Sequence, residues 1–378
     1  MIYLDNSATT KPHIEVLKTY QTVASEYFAN PSSIHRLGGE VEKLINKAKE
    51  QVASILKVKS SEVFFTSGGT ESNNLAIKGI AYRYQNRGKH IITTQIEHPS
   101  VLEVCKFLEA NGFKVTYLPV NEHGEISLQD LEKALTNETI LVTIMHVNNE
   151  IGTVQPISDI ADMLIQYPKT FFHIDHVQGF GKLPLPYDHK GIDSVTISGH
   201  KIHGLKGTGC LIKKESVSLA PLFHGGQQEQ GNRPGTENVA GAVSLAKAAR
   251  LAKESQTNYD QLYRYQANLR EVLEQYDQVT INSPKHGAAH ILNFSVKGFK
   301  PEVLIHAFMD EGIVVSTKSA CSSKQNEPSH VLLACGIDQS DASSAVRVSM
   351  NLDQKAEDIE SFLQTFNNII RQYENVMG

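Results

Sequence analysis

The sequence predicts an α/β protein with a mostly parallel sheet, followed by a smaller α+β unit. Between about Glu62 and Lys214, short apolar runs alternate with helix-like segments. Most of these runs are near-continuously apolar, as expected for strands covered on both faces. Past a long Ala-rich segment the texture changes to strands mixed with helices. The chain has 378 residues, and at about 150 residues per domain two domains are expected.

Taken in order, an early helix is read from Leu44, Ala48, Val52 and Ile55, which share one face. Seven strands follow: "EVFFTSG", "HIITTQ", "KVTYLPV", "ILVTIMHV", "FFHIDHV", "SVTISGH" and "GCLIKK". After the first comes a helix over Thr70–Arg87, where Ala76, Ile80 and Tyr84 recur every fourth residue. Strand, crossover helix and strand again is the pattern of a parallel sheet. "RPGTENVAGAVSLAKAARLAKESQ" reads as a long helix joining the two units. Beyond it, "HILNFSV", "IVVST" and "AVRVSM" read as strands, with helices at Pro301–Asp310 and Lys355–Tyr373. The expected division is a large domain over residues 16–257 and a small domain made of 1–15 and 258–378.

Hydrophobic content of 40% and charged content of 20% describe a globular protein with a sizeable core. A net charge of −5 argues against a broad nucleic-acid-binding surface. The N-terminus "MIYLDNSATTKPH" lacks the charged and apolar regions of a signal peptide. No apolar run approaches the roughly 20 residues that span a bilayer, so a soluble cytoplasmic protein is expected. The four cysteines form no CxxC pair, which disfavours a zinc site, a cluster site and a disulfide scaffold. No metal is expected.

Three segments carry chemistry. "FTSGGTESNN" ends a strand, turns on two glycines and opens a helix, so backbone N–H groups and the helix dipole can seat a phosphate. It has neither GK[ST] nor GxGxxG, which suits a monophosphate; a plain turn is the competing reading. "HIDHVQGFGK" puts Asp175 near the C-terminal end of an apolar strand, where ligands bind in open α/β sheets. A carboxylate there can keep a ring nitrogen protonated. His173 shares its face and His176 points the other way, so packed histidines are favoured over metal ligands. "SGHKIHGLKG" sets Lys201 at the next strand end, where a recessed amine can form a Schiff base, although a lone lysine is usually a surface charge. Together the phosphate seat, the carboxylate and the amine match pyridoxal phosphate group by group.

A fourth segment, "STKSACSSKQNEPSH", sets Cys321 on a polar loop, unlike the aliphatic surroundings of a buried structural thiol. With "YLDNSATT", "NPSSIH", "SGGTESNN", "EHPSV", "MHVNNEIGTVQPI", "RPGTEN" and "AVRVSMN", the chain resembles the cysteine desulfurases of the class V aminotransferase group. These are fold-type I pyridoxal-phosphate enzymes, and the resemblance runs over nearly the whole length.

The resemblance implies the following roles. Lys201 would hold the cofactor covalently. Gly69, Thr70, Ser198 and His200 would bind its phosphate, and Thr236 would reach the phosphate from the other subunit of a homodimer. Asp175 would pair with the ring nitrogen, Gln178 would bond the ring hydroxyl, His98 would stack on the ring and Asn149 would lie beside it. Arg347 and Asn30 would hold the carboxylate of L-cysteine; for Arg347 an ion pair within the small domain is the alternative. Lys201 would remove the α-proton, and Cys321 would take the sulfur as a persulfide for an acceptor protein, either a cluster scaffold or a tRNA thiolase. Lys318 and Lys324 would lower the thiol pKa or simply keep the loop soluble.

Two departures stand out: Lys318 where relatives often have Gly, and His176 where small residues are common. The loop is of the long type, with eight residues between Ala320 and Ser329, which favours protein acceptors. Cys105, Cys210 and Cys335 are expected to be core thiols. An aminotransferase, a selenocysteine lyase and a kynureninase-like hydrolase share the lysine and the phosphate seat, and only the Cys321 loop separates them. A scaffold without activity would be expected to have lost Lys201, Asp175 or Cys321.

Overall fold

The computed structural model describes residues 1–317 and 327–377. Lys318, Cys321 and Lys324 lie outside the described residues, so the sequence expectations for them have no structural counterpart here.

The chain opens with β1 (Ile2–Tyr3), α1 (Ile14–Glu26) and α2 (Arg36–Leu56). The main sheet is then laid down as β2 (Val63–Thr66), α3 (Gly69–Tyr84), β3 (His90–Thr94), α4 (Pro99–Ala110) and β4 (Lys114–Leu118). It continues through α5 (Leu128–Ala134), β5 (Thr139–Met145), α6 (Ile157–Leu164), β6 (Phe171–Asp175), β7 (Ser194–Ser198) and β8 (Gly209–Lys213). After α7 (Val239–Ser255) come α8 (Tyr259–Leu273), β9 (Val279–Ile281), β10 (Ile291–Val296), α9 (Pro301–Asp310) and β11 (Ile313–Val314). The chain ends with α10 (His330–Ala334), α11 (Gln339–Ser343), β12 (Ala345–Ser349) and α12 (Ala356–Met377).

The seven-stranded sheet has the order β2-β8-β7-β6-β5-β3-β4. β8 runs antiparallel to both neighbours, and the other pairs are parallel. Every residue of β5 is buried, as its unbroken apolar run requires. Period-two alternation divides β6 between two cores. Phe172 and Ile174 join the core with α2 and α7, whereas Phe171 packs into the core with α3 and α4. His173 and Asp175 therefore face α3. A second, three-stranded sheet, β12-β10-β9, is covered by α8, α9 and α12. The N-terminus belongs with it: β1 pairs parallel with β11, and Leu4 packs in the same core as Phe294, Phe308 and Phe362.

Several boundaries differ from the sequence expectations. The helix expected over Thr70–Arg87 runs Gly69–Tyr84. The Ala-rich helix starts only at Val239, where Asn238 caps it by accepting from Gly241 N at 2.9 Å. The "RPGTE" portion is a loop, since Pro234 and Gly235, at φ 108°, cannot continue a helix. The buried stripe of α2 is Val41, Ile45, Ala48 and Val52, with Leu44 and Ile55 at its flank. Of "IVVST", only Ile313 and Val314 form a strand.

Candidate active site

The strand ends and the helix starts that follow them enclose a cavity of about 740 Å³, counting its open mouth. At the β2–α3 turn, Gly68 has φ 152° and Gly69 begins the helix. A Cβ on Gly209 of β8 would come 2.6 Å from Gly68 Cα, so the two backbones meet where no side chain fits. Gly69 and Thr70 line the cavity, as do Ser198 and His200 from the end of β7. The Ser198 hydroxyl is buried with no hydrogen-bond partner among the described residues.

Lys201 follows β7 on a single helical turn. Its amine donates to the carbonyl oxygens of Ser7 and, at 2.9 Å, Ala8. Asp175 closes β6 and is 7% exposed. One carboxylate oxygen accepts from Val177 N at 3.0 Å and the other from Asn73 Nδ2 at 2.8 Å. Gln178 Nε2 donates to the Ser7 carbonyl at 2.9 Å. His98 caps α4, its Nδ1 accepting from Ser100 N at 3.1 Å.

Arg347 enters from β12. Its Nη1 donates to the Asn149 carbonyl at 2.9 Å and its Nη2 to Asp5 Oδ1 at 2.8 Å. An ion pair between Arg347 and Asp5 is therefore present, yet Arg347 also lines the cavity together with Asn149. Its Nε is buried without a partner among the described residues.

Burial lowers the His98 pKa; Asp175 opposes this and Lys201 adds to it. Burial, reinforced by Lys201, takes His200 down to about 4. Glu97, beside His98, is fully buried and pushed up to about 8, mainly by burial, against hydrogen bonds from Met145 N and Thr94 Oγ1. Burial thus disfavours the charged form of both histidines, and Lys201, Arg347 and Asp175 are the other ionisable side chains lining the cavity.

Gly69, Thr70, His98, Asn149, Asp175, Gln178, Ser198, His200, Lys201 and Arg347 all line this one cavity. Two expected residues do not. Asn30 is exposed in the turn before α2, where its side chain accepts from Ser32 N at 2.9 Å. Thr236 is exposed on the loop before α7. His173 packs behind Asp175, and burial takes its pKa to about 3. His176 lies on the opposite side, stacked on His146 with ring centroids 4.8 Å apart. Cys105, Cys210 and Cys335 are buried, and burial pushes their thiols up to about 12, 12 and 11. Sequence reasoning gives no role to Ser7, Ala8, Asn73 or Ser100, which also line the cavity. Ser7 and Ala8 act through backbone carbonyls, which leave no mark in residue type.

The donor set fits pyridoxal phosphate. The α3 N-terminus and the buried Ser198 hydroxyl suit its phosphate, Asp175 suits a protonated ring nitrogen, and Lys201 supplies the amine for its aldehyde.

The Aminotransferase class-V family model matches residues 2–362. The chain is 42% identical to a protein of Dictyoglomus turgidum named cysteine desulfurase IscS, over 99% of this chain and 96% of that one. Its fold superposes on a solved NifS-like protein with a TM-score of 0.92 at 36% identity, covering 98% of this chain and 99% of the other. It also superposes on SspA in complex with cysteine, with a TM-score of 0.82 at 37% identity, covering 93% and 99%. The chain belongs to the class-V aminotransferase family.

Proposed function

We propose that the chain is a cysteine desulfurase, which takes sulfur from L-cysteine, releases L-alanine and passes the sulfur through Cys321 to an acceptor protein. The carrying observation is the convergence of the Lys201 amine, the Asp175 carboxylate and the Arg347 guanidinium on one cavity. The names of the relatives, and the cysteine bound to SspA, support the same reading.

Pyridoxal phosphate, when bound, supplies the electron sink that makes the substrate α-proton removable. Gly69, Thr70, Ser198 and His200 would hold its phosphate, Asp175 and Gln178 would hold its ring, and His98 would lie against it. Arg347 takes the substrate carboxylate beside Asn149, and Asn30 is assigned to the same carboxylate by its family motif. Lys201, oriented by the Ser7 and Ala8 carbonyls, moves the α-proton. The Cys321 thiolate then attacks the substrate sulfur. A sulfur–sulfur bond forms, the carbon–sulfur bond breaks, its electron pair stays with the substrate carbon, and that carbon takes a proton to become the methyl of alanine.

The exposed Thr236 fits a homodimer in which one subunit's Thr236 reaches the other's phosphate. We assign residues 16–257 to the cofactor-binding domain, and 1–15 with 258–378 to the small domain carrying the Cys321 loop. The acceptor is a cluster scaffold or a tRNA thiolase, in the cytoplasm. Among the described residues, no helix is long and apolar enough to cross a membrane.

The test uses holoenzyme, L-cysteine and a thiol reductant, with alanine and sulfide measured together and Cys321→Ala alongside. Equal amounts from the wild type and almost none from the variant support the reading. Alanine from both proteins removes Cys321 as the nucleophile, and alanine from neither refutes desulfuration.

A further inference from the structure

Asn73, in α3, is fully buried and lies between two groups that the proposed function depends on. Its Nδ2 donates to Asp175 Oδ2 at 2.8 Å and to Ser100 Oγ at 2.9 Å. Its Oδ1 is 3.1 Å from His173 Nε2. Ser100 Oγ in turn lies 2.9 Å from His98 Nδ1.

The hydrogen bonds constrain where the protons of this network sit. The backbone N–H of Ser100 donates to His98 Nδ1, so that nitrogen carries no proton and neutral His98 is protonated at Nε2. Ser100 Oγ accepts from Asn73, which leaves its own O–H for the same Nδ1. With Nδ2 of Asn73 turned to Asp175, its Oδ1 faces His173 Nε2, while His173 Nδ1 lies 2.8 Å from Ser194 Oγ. Both amide hydrogens and the amide oxygen of Asn73 are thereby used. Of the twenty residue types, asparagine alone combines this length with two donors and an acceptor on one planar group.

We propose that Asn73 is a positioning residue that orients the Asp175 carboxylate and the His98 ring together. This rests on the functional reading above. Asn73 Nδ2 holds one Asp175 oxygen while Val177 N holds the other, so the carboxylate is fixed in one orientation at the cavity. By donating to Ser100 Oγ it also leaves the Ser100 hydroxyl proton for His98 Nδ1, the edge that Ser100 N already holds. The titratable groups facing Asn73 are Asp175, His98 and His173. Glu97 acts on Asp175, and Lys201, Glu150 and His330 act on His98.

The test compares wild-type holoenzyme with Asn73→Asp and Asn73→Ala. Aspartate has the same shape, but it reverses the bonds to Asp175 and Ser100 and brings two carboxylates together. Three readouts are taken: the cofactor dissociation constant by fluorescence, the pH profile of kcat/KM for L-cysteine, and the melting temperature. Both variants are expected to bind the cofactor at least about tenfold more weakly. The alkaline limb of their profiles should fall about one pH unit lower, because a carboxylate that Asn73 no longer holds in place pairs less well with the ring proton. KM for cysteine should change less than about threefold, since Asn73 touches none of the carboxylate-binding groups. Unchanged affinity and an unchanged profile in a folded Asn73→Asp protein, with only the melting temperature altered, would make Asn73 a packing residue and overturn the proposal. If wild-type enzyme releases no alanine from cysteine, the functional reading fails, while cofactor affinity still judges Asn73 separately.

Discussion

Replacing Arg347 by lysine separates its two possible roles. The guanidinium is buried in β12, with one nitrogen on Asp5, a second on the Asn149 carbonyl and Nε without a partner among the described residues. A lysine at this position keeps the charge but presents one ammonium from a differently shaped stem. It can hold Asp5 or approach the cavity; it cannot keep Asp5, Asn149 and a substrate carboxylate in one plane. A hydrogen bond to a charged group is worth about 1.5–3 kcal/mol. With about 1.4 kcal/mol per factor of ten, losing one bond to substrate lowers kcat/KM by about 10- to 150-fold. The assay is alanine release across a range of L-cysteine concentrations, with the melting temperature measured in parallel, and the loss should fall largely on KM. An unchanged KM with a lowered melting temperature would mean that Arg347 serves only its pair with Asp5, and the assignment of the substrate carboxylate to Arg347 would be refuted.

Further substitutions probe the surroundings of the cavity. Glu97 has its folded pKa raised to about 8, so the folded state holds a proton that the unfolded chain has lost. That difference costs nothing below the unfolded carboxylate range, grows as pH rises towards 8, and then levels off. Glu97→Gln should therefore melt higher than wild type at pH 8 and alike at pH 4; equal melting at both would show that Glu97 is ionised in the fold. Gly209→Ala must push its Cβ against the Gly68 backbone, at a cost of about 1–3 kcal/mol with loss of cofactor retention. Gly39→Ala in α2 meets nothing within 4 Å and should be neutral or slightly stabilising. Similar cofactor retention in both glycine variants would mean that the β2–α3 turn yields freely.

The parts of the structure legible in the sequence are those whose signal is local. β3 and β5 can be read because burial on both faces favours short runs of Ile, Val, Leu and Thr without charge. Asp175 and Lys201 can be read because strand ends in a parallel sheet converge. β1, two residues long, cannot, because so short a strand exists only through its pairing with β11. The late start of α7 depends on Gly235, whose positive φ is a loop conformation that composition hides within an Ala-rich stretch. Asn73 reads as an ordinary helix residue because its partners, Asp175 and His173, are about a hundred positions away. Asn30 and Thr236, carried over from family motifs, lie away from the cavity lining of this single chain.

The bond between Asp5 and Arg347 joins residues 342 positions apart. At about 5–20 residues per second on the ribosome, roughly 17–70 s separate the synthesis of its two ends. During that interval the Ser7 and Ala8 carbonyls, which hold Lys201, belong to a segment whose neighbouring β1 has not yet received β11. The large sheet can therefore assemble while its chemical centre is still open on one side. Competence arrives late and all at once, when the last strands dock, and a truncated nascent chain is left with a formed scaffold that lacks the means to hold substrate.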